Sequence, residues 1–261
     1  MDTQSERLPD RTGPSGGISC VVCAYNEERR ITHILDAIVG HPLLSEIIVV
    51  NDGSTDATLS LLRSYPSVRT ISYGANRGKT YAMSQGVAAA TGAHIMLLDA
   101  DLTGVSPRDI DALAAPVVSG RADVSISLRR NSLLLYRLLG LDFVSGERVL
   151  PAALLAEAAQ ALVSLPRWGA EAYLNEAVVR RRLRIAVVDW PSVFNIRKHQ
   201  KVGLVRGALE EMRMSADAMR VLSPLGVARQ YFAMLDLIAL PARPRRALLP
   251  RLSELRRSPA A

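Results

Sequence analysis

HIMLLDADL, residues 94–102, is the stretch whose reading decides the fold. Four consecutive apolar residues, Ile95 to Leu98, run directly into Asp99 and Asp101, which are separated only by Ala100. A strand that ends in a solvated turn produces this pattern. So does a pair of carboxylates set at the lip of a parallel sheet to grip a cation. The flanking sequence has to distinguish the two.

Working outward, the first half alternates short apolar runs with helical patterns. ISCVVCAY (18–25), EIIVVNDG (46–53), VRTISYG (68–74), HIMLLDAD (94–101) and ADVSISLRR (122–130) read as strands. Between them, Ile31, Ile34, Leu35 and Ile38 recur at helical spacing. The stretch STDATLSLLRSY reads as a second helix, capped by Ser54 or Thr55. KTYAMSQGVAAATG predicts a third helix closed by Gly92, and SPRDIDALAAPVVSG a fourth with Pro107 at its first position. Strands that are apolar on both faces and alternate with helices predict an α/β fold with a mostly parallel central sheet covered on each side. Ligands of such sheets bind beyond the carboxyl ends of the strands. Three of those ends carry acids or amides: AYNEE (24–28), NDGSTD (51–56) and DADL (99–102).

Composition sets the outer bounds. A chain of 261 residues, 49% hydrophobic and 22% charged, can bury a substantial core. Residues 1–120 carry 9 basic and 13 acidic side chains, whereas 121–261 carry 23 and 12. A cationic second half suits phosphate-bearing ligands or an anionic membrane surface. Nucleic acid is disfavoured, because no zinc-finger spacing or aromatic-interleaved basic strand occurs and aromatics are only 5%. The two cysteines, Cys20 and Cys23, would face opposite sides of one strand, so buried reduced thiols are expected rather than a metal or redox pair. Residues 1–16 read as a flexible leader without the apolar core of a secretory signal.

The ordered set AYNEE, VVNDGSTDAT (49–58), NRGKTYAMSQGVAAATG (76–92) and LLDADL (97–102) resembles the family-2 glycosyltransferases of GT-A fold. Within that family the resemblance points to the polyprenyl-phosphate glycosyltransferase or glucosyl-3-phosphoglycerate synthase branches. It implies a GT-A domain over residues 17–205 and a helical C-terminal extension over 206–261. It also implies a UDP- or GDP-sugar donor and a divalent cation, Mn2+ or Mg2+, that neutralises the departing diphosphate. By similarity, Asp101 and Asp99 hold the cation, and His199 in IRKHQKVG returns to it. Ala24, Tyr25, Glu27, Asp52, Gly78, Lys79, Asp99, Ala100 and Asp101 form the donor site. Asp52 would accept the ring N–H of uracil or guanine, and Lys79 at a helix start would face the diphosphate. Capping and turn formation are the plainer readings of Glu27 and Asp52.

The second half selects the acceptor, either a small molecule or a lipid-linked one. Glu171 in RWGAEAYLNEAVVRRRL matches the segment that carries the family's catalytic carboxylate, although Ala172 follows it where the family has a second acid. It would act as general base in an inverting transfer or contact the sugar in a retaining one. Arg148 and Arg129, with Arg130, are candidate phosphate ligands. VLPAALLAEAAQALVSLP and VGLVRGALEEMRMSADAMRVLS read as helices, and RIAVVDWPSVFNI as a strand. The tail GVARQYFAMLDLIALPARPRRALLPRLSELRR joins an apolar helix to a basic end. That mixture fits a peripheral membrane contact, a helix packed on the domain or a homodimer contact. A cytoplasmic location, at the inner face of the membrane if the tail docks there, follows. The competing functions are a sugar-phosphate nucleotidylyltransferase, which would need a glycine-rich basic loop in place of AYNEE, and a non-catalytic membrane-surface protein that retains the fold.

Overall fold

Alternation along β1 (Ile18–Ala24) sends Ile18, Cys20 and Val22 to one apolar cluster and Val21 and Cys23 to another. A strand buried on both faces belongs inside a covered parallel sheet. The computed structural model, which describes residues 16–165, 169–195 and 223–241, shows that arrangement. Eight strands run in the order β10-β8-β6-β7-β4-β1-β2-β3. They are β1, β2 (Leu44–Asn51), β3 (Val68–Ser72), β4 (His94–Asp99), β6 (Val124–Arg129), β7 (Arg148–Pro151), β8 (Ile185–Trp190) and β10 (Ile238–Leu240). Only β7 runs antiparallel to its neighbours, β4 and β6. A separate two-stranded ribbon pairs β5 (Leu102–Thr103) with β9 (Phe194–Asn195).

Helices α1 (Ile31–Ile38), α2 (Thr58–Leu62) and α4 (Pro107–Val118) cover one face through Ile31, Ile34, Leu62, Ile110 and Leu113. The other face is covered by α3 (Lys79–Ala89), α6 (Ala152–Ser164), α7 (Ala170–Arg180) and α8 (Pro224–Asp236). A short α5 (Leu134–Leu139) lies between β6 and β7. Helix α3 comes close to the sheet because Gly86 carries no side chain: a Cβ there would lie 2.3 Å from Val21 Cγ1 and 3.2 Å from Val50 Cγ2.

The mostly parallel sheet and the two-faced cover match the expectation from sequence. Four details differ. Helix α2 begins at Thr58, not near Ser54, because Asp56 Oδ1 accepts from the Thr58 backbone N–H and residues 54–57 are used in loop contacts. Arg148–Pro151 is strand rather than the start of a helix; four residues are too few for periodicity to separate the two. Helix α3 closes at Ala90 rather than at Gly92, whose N–H instead donates to Ser19 Oγ. The described part of the C-terminal segment is also more than an appended helix, since β10 adds an edge strand to the main sheet beside β8. Helix α8 packs on α7, burying Tyr231 and Met234, with Gln230 Nε2 donating to Ala172 O. The leader and the predicted long helix at 202–223 lie outside the described residues except Gly16 and Ser223. Among the described residues no helix is long and apolar enough to cross a membrane. Both cysteines are free, and burial pushes each thiol up to about 12, so neither is a ready thiolate at neutral pH.

Gly86→Ala should destabilise the protein, although alanine is ordinarily the better helix former by about 1 kcal/mol. Overpacking against Val21 opposes that gain by about 1–3 kcal/mol, and a lowered Tm in thermal unfolding checks it. Near the start of β2, burial raises the Glu46 carboxyl, but bonds from Ser19 and Thr91 bring it below its ordinary value. Its stabilisation is therefore present above the unfolded pKa of about 4.3 and lost as the pH falls through the folded value. The Tm difference between wild type and Glu46→Gln should be largest at neutral pH and shrink in acid.

Candidate active site

Strand order reverses at β1: the chain lays β2 and β3 on one side and returns to place β4 on the other. Beyond the carboxyl ends of β1 and β4 such a reversal leaves a crevice, the usual ligand site of these sheets. Its floor is stitched by side chain–backbone bonds between the loops after β1 and β2. The Asn26 N–H donates to Ser54 Oγ, Glu27 N–H to Thr58 Oγ1 and Glu28 N–H to Asp56 Oδ2. In return, Thr55 N–H donates to Asn26 Oδ1. Turn chemistry therefore explains most polar residues of AYNEE and DGSTDAT. Glu27 is buried and paired with Arg30, while Tyr25 is 45% exposed beside the buried Ala24.

Asp52, at the end of β2, is buried and has both carboxylate oxygens engaged. Oδ1 accepts from Tyr73 Oη (2.8 Å) and Arg77 N–H (2.7 Å), and Oδ2 accepts from Gly78 N–H (2.9 Å). Gly78, at φ +97°, holds a backbone conformation that other residues rarely adopt and directs the chain into α3. Asp52 thus fixes the start of α3, and with it the next residue, Lys79. This contact also satisfies the Gly78 N–H, one of the amide donors the helix start would otherwise offer to a phosphate.

Lys79 does not extend into solvent. Its Nζ lies 2.8 Å from Asp99 Oδ1 and 3.0 Å from Glu171 Oε1. Three elements meet at this ammonium: the first residue of α3, the last of β4 and the first turn of α7. Burial pulls the lysine pKa down, but the two carboxylates outweigh it and hold it above its ordinary value. Gly146 closes the site from the connection between β6 and β7. A Cβ there would lie 2.8 Å from each Asp99 oxygen and 2.9 Å from Lys79 Nζ, so the backbone approaches the ion cluster as nearly as a polypeptide can.

Asp101 follows Ala100 and is partly exposed. The next two residues form β5, which pairs with β9 in the register Leu102 to Asn195. That ribbon sets Asn195, the last residue of β9, opposite Leu102, which follows Asp101; His199 lies outside the described residues. Among the described residues no three His, Cys, Asp or Glu side chains gather into a self-sufficient metal site. Two hard-oxygen carboxylates on alternate residues at the end of β4 still fit Mg2+ or Mn2+. Such ions are commonly held by one or two carboxylates and completed by water and substrate phosphate.

The arginine assignments need correction. Arg148 is 1% exposed, and its guanidinium donates to Asn175 Oδ1 (3.0 Å) and to the carbonyl of Ser145. It staples α7 to the 143–145 loop and is not open to a phosphate. Arg129 is likewise committed, donating to Glu147 Oε1 at 3.1 Å with Asp142 at 3.6 Å. Sequence reasoning missed the partner of Arg129, Glu147. Its fully buried carboxylate accepts from Ser127 Oγ and Ser145 Oγ as well as Arg129. Burial raises its pKa, and Asp99 nearby adds to the rise, against Arg129. The adjacent acid and base Glu147–Arg148 leading into the apolar Val149–Leu150 were the available signal.

The model of glycosyl transferase family 2 matches residues 19–133. That stretch, a little under half of the chain, is similar to the family-2 glycosyltransferases. The match spans Tyr25, Asp52, Lys79, Asp99 and Asp101 but stops before Glu171. The fold is GT-A: it is similar to glucosyl-3-phosphoglycerate synthase from Mycobacterium tuberculosis, solved with Mn2+, UDP-glucose and phosphoglyceric acid. That likeness has TM-score 0.63 and 25% identity, covering 79% of this chain and 80% of that one. Among curated proteins, the chain is 33% identical over 142 residues to dodecaprenyl-phosphate galacturonate synthase of Rhizobium johnstonii, covering 50% of this chain and 42% of that one. It is 37% identical over 100 residues to 4,4'-diaponeurosporenoate glycosyltransferase of Staphylococcus aureus, covering 37% and 27%. The chain thus spans less than half the length of these curated relatives.

Lys79→Met should destabilise the protein by about 2 kcal/mol, a figure reduced from that of a fully buried pair because the site is partly solvated. The deficit should hold from neutral pH up to the free-lysine value of about 10.4 and close only above it, because the raised folded pKa keeps the wild-type ammonium charged. Tm of the two proteins measured across that range checks the sign.

Proposed function

We propose that this chain is a metal-dependent glycosyltransferase that moves a sugar from a UDP- or GDP-sugar to a phosphorylated or lipid-linked acceptor. The observation that carries this reading is the convergence of Asp99 and Glu171 on the Lys79 ammonium, at 2.8 and 3.0 Å, at the switch point of the sheet. The Mn2+ and UDP-glucose named for the mycobacterial neighbour support a divalent cation and a uridine donor. Asp101 and Asp99 would hold the cation, with His199 as a third candidate, and the chemistry it supplies there is charge neutralisation on the departing diphosphate.

The chain's own residues do the rest by position. The stitched floor at Tyr25–Glu28 and Ser54–Thr58 gives the nucleoside a rigid edge. Asp52 holds the 77–78 backbone, so Lys79 stays between the acids when the site is empty of donor. As negative phosphate enters beside Asp99, the ammonium is already in place to offset it, at little cost in reorganisation. Glu171 Oε1 is fixed by Lys79, which suits a stationary acceptor of hydrogen bonds from a sugar hydroxyl better than a base that must take up a proton. Free cysteines suit work in a reducing compartment.

Thermal unfolding with UDP, GDP and CDP, each with and without Mn2+, tests the reading. A Mn2+-dependent rise in Tm with UDP or GDP is expected. Asp101→Ala should keep the ligand-free Tm, lose that rise, and turn over donor at least about a hundredfold more slowly. Absence of any metal-dependent nucleotide effect, or full activity of Asp101→Ala, would contradict it.

A further inference from the structure

The connection between β6 and β7 carries a feature that sugar transfer to a dissolved acceptor does not use. Helix α5 is LLYRLL, and it is turned inside out. Leu134, Leu135 and Leu138 are 70%, 59% and 75% exposed, and Leu133 just before them is 55% exposed. At 100° per residue, positions 134, 138 and 135 fall within one narrow arc. Tyr136 lies on the opposite side and anchors the helix, its ring 5.5 Å from Phe143 and 6.0 Å from Tyr231. The apolar stripe therefore faces away from the protein. One exposed leucine needs no explanation, but a contiguous row of them is a contact surface.

Charge indicates what the row contacts. Between Asp123 and Asp142 the chain holds Arg129, Arg130 and Arg137 and no acid. Arg130 and Arg137 are both exposed; Arg137, within the helix, donates from Nη1 to the Arg130 carbonyl, and the guanidinium of Arg130, just before the leucines, lies 6.0 Å from the Phe194 ring. Aliphatic side chains bordered by arginines suit the boundary between acyl chains and anionic headgroups. The ridge is also tied to the site. Asn131 Nδ2 donates to Asn195 O (2.8 Å), opposite Leu102 of the acid loop, and the same connection returns through Gly146 to Asp99 and Lys79.

We infer that the α5 ridge is a docking surface for an anionic phospholipid bilayer, with Leu134, Leu135 and Leu138 entering the acyl boundary and Arg130 and Arg137 on lipid phosphates. Docking in this attitude sets the crevice at the membrane plane and makes a lipid-linked acceptor the one the enzyme meets. That last step rests on the glycosyl-transfer reading; the docking itself does not.

The full chain is sedimented with vesicles of phosphatidylcholine alone and of phosphatidylcholine with phosphatidylglycerol, at low and high salt. Wild type should pellet with the anionic vesicles and be released in part by salt. The triple substitution Leu134→Ser, Leu135→Ser, Leu138→Ser should cut vesicle binding by about tenfold or more, and Arg137→Gln should weaken it and flatten the salt dependence. In both variants the Mn2+-dependent Tm rise with nucleotide should be unchanged, which separates a failure of docking from a failure of the proposed activity. Equal pelleting of wild type and the triple variant overturns the inference. So does absence of binding, or a dimer that the triple variant dissolves while wild type ignores vesicles.

Discussion

One ammonium organises this protein's candidate site. Lys79 bridges Asp99 and Glu171, the latter 92 residues away in sequence, and so ties together the ends of α3, β4 and α7. Two carboxylates this close to a partly dry sheet edge would repel each other and resist burial; a cation between them resolves both problems at once. The arrangement is also suited to exchange. Incoming phosphate carries the same sign as the acids, and a divalent cation the same sign as the lysine, so a bound donor and its metal could re-partner the groups without uncovering a bare charge.

Around this cluster the support is built mainly from buried polar contacts. Asp52 spends its carboxylate on the backbone at Arg77 and Gly78, and Glu147 with Arg129, Ser127 and Ser145 secures the loop that presents Gly146. Arg148 ties that loop to α7 through Asn175, which places Glu171. Networks of this kind add little net stability, but they are stiff because leaving any member unpaired is costly. Stiffness is the property that a site based on electrostatic preorganisation requires.

The comparisons divide along the same line as the structure. The donor half is matched by the family and by relatives whose names specify different products. The mycobacterial neighbour was solved with phosphoglyceric acid, whereas a curated relative is named for dodecaprenyl phosphate. A likeness of fold and of residues 19–133 does not carry over what receives the sugar. In this chain the connection between β6 and β7 contributes both an outward leucine stripe and the glycine that abuts Asp99, so recognition of a surface and geometry of the site share one loop.

By itself the sequence determined the parallel sheet, its two apolar faces, and the gathering of Asn26–Glu27, Asp52 and Asp99–Asp101 at one sheet end. These follow from local rules: the period of apolar residues, the strands buried on both faces, and the rule that crossover connections bring strand ends to one side. Tertiary structure alone decided which charges are free. Lys79, Arg129 and Arg148 look alike in sequence as candidate phosphate ligands, yet the first bridges two acids, the second is committed to Glu147 and the third is wholly buried. Partner choice among charged groups depends on distances between residues far apart in the chain, and on how much water the fold leaves beside them. No local pattern encodes either quantity. The strand β7 and the edge strand β10 escaped for a related reason: segments of four and three residues become strands because a neighbouring strand offers its backbone, not because their own sequence demands it.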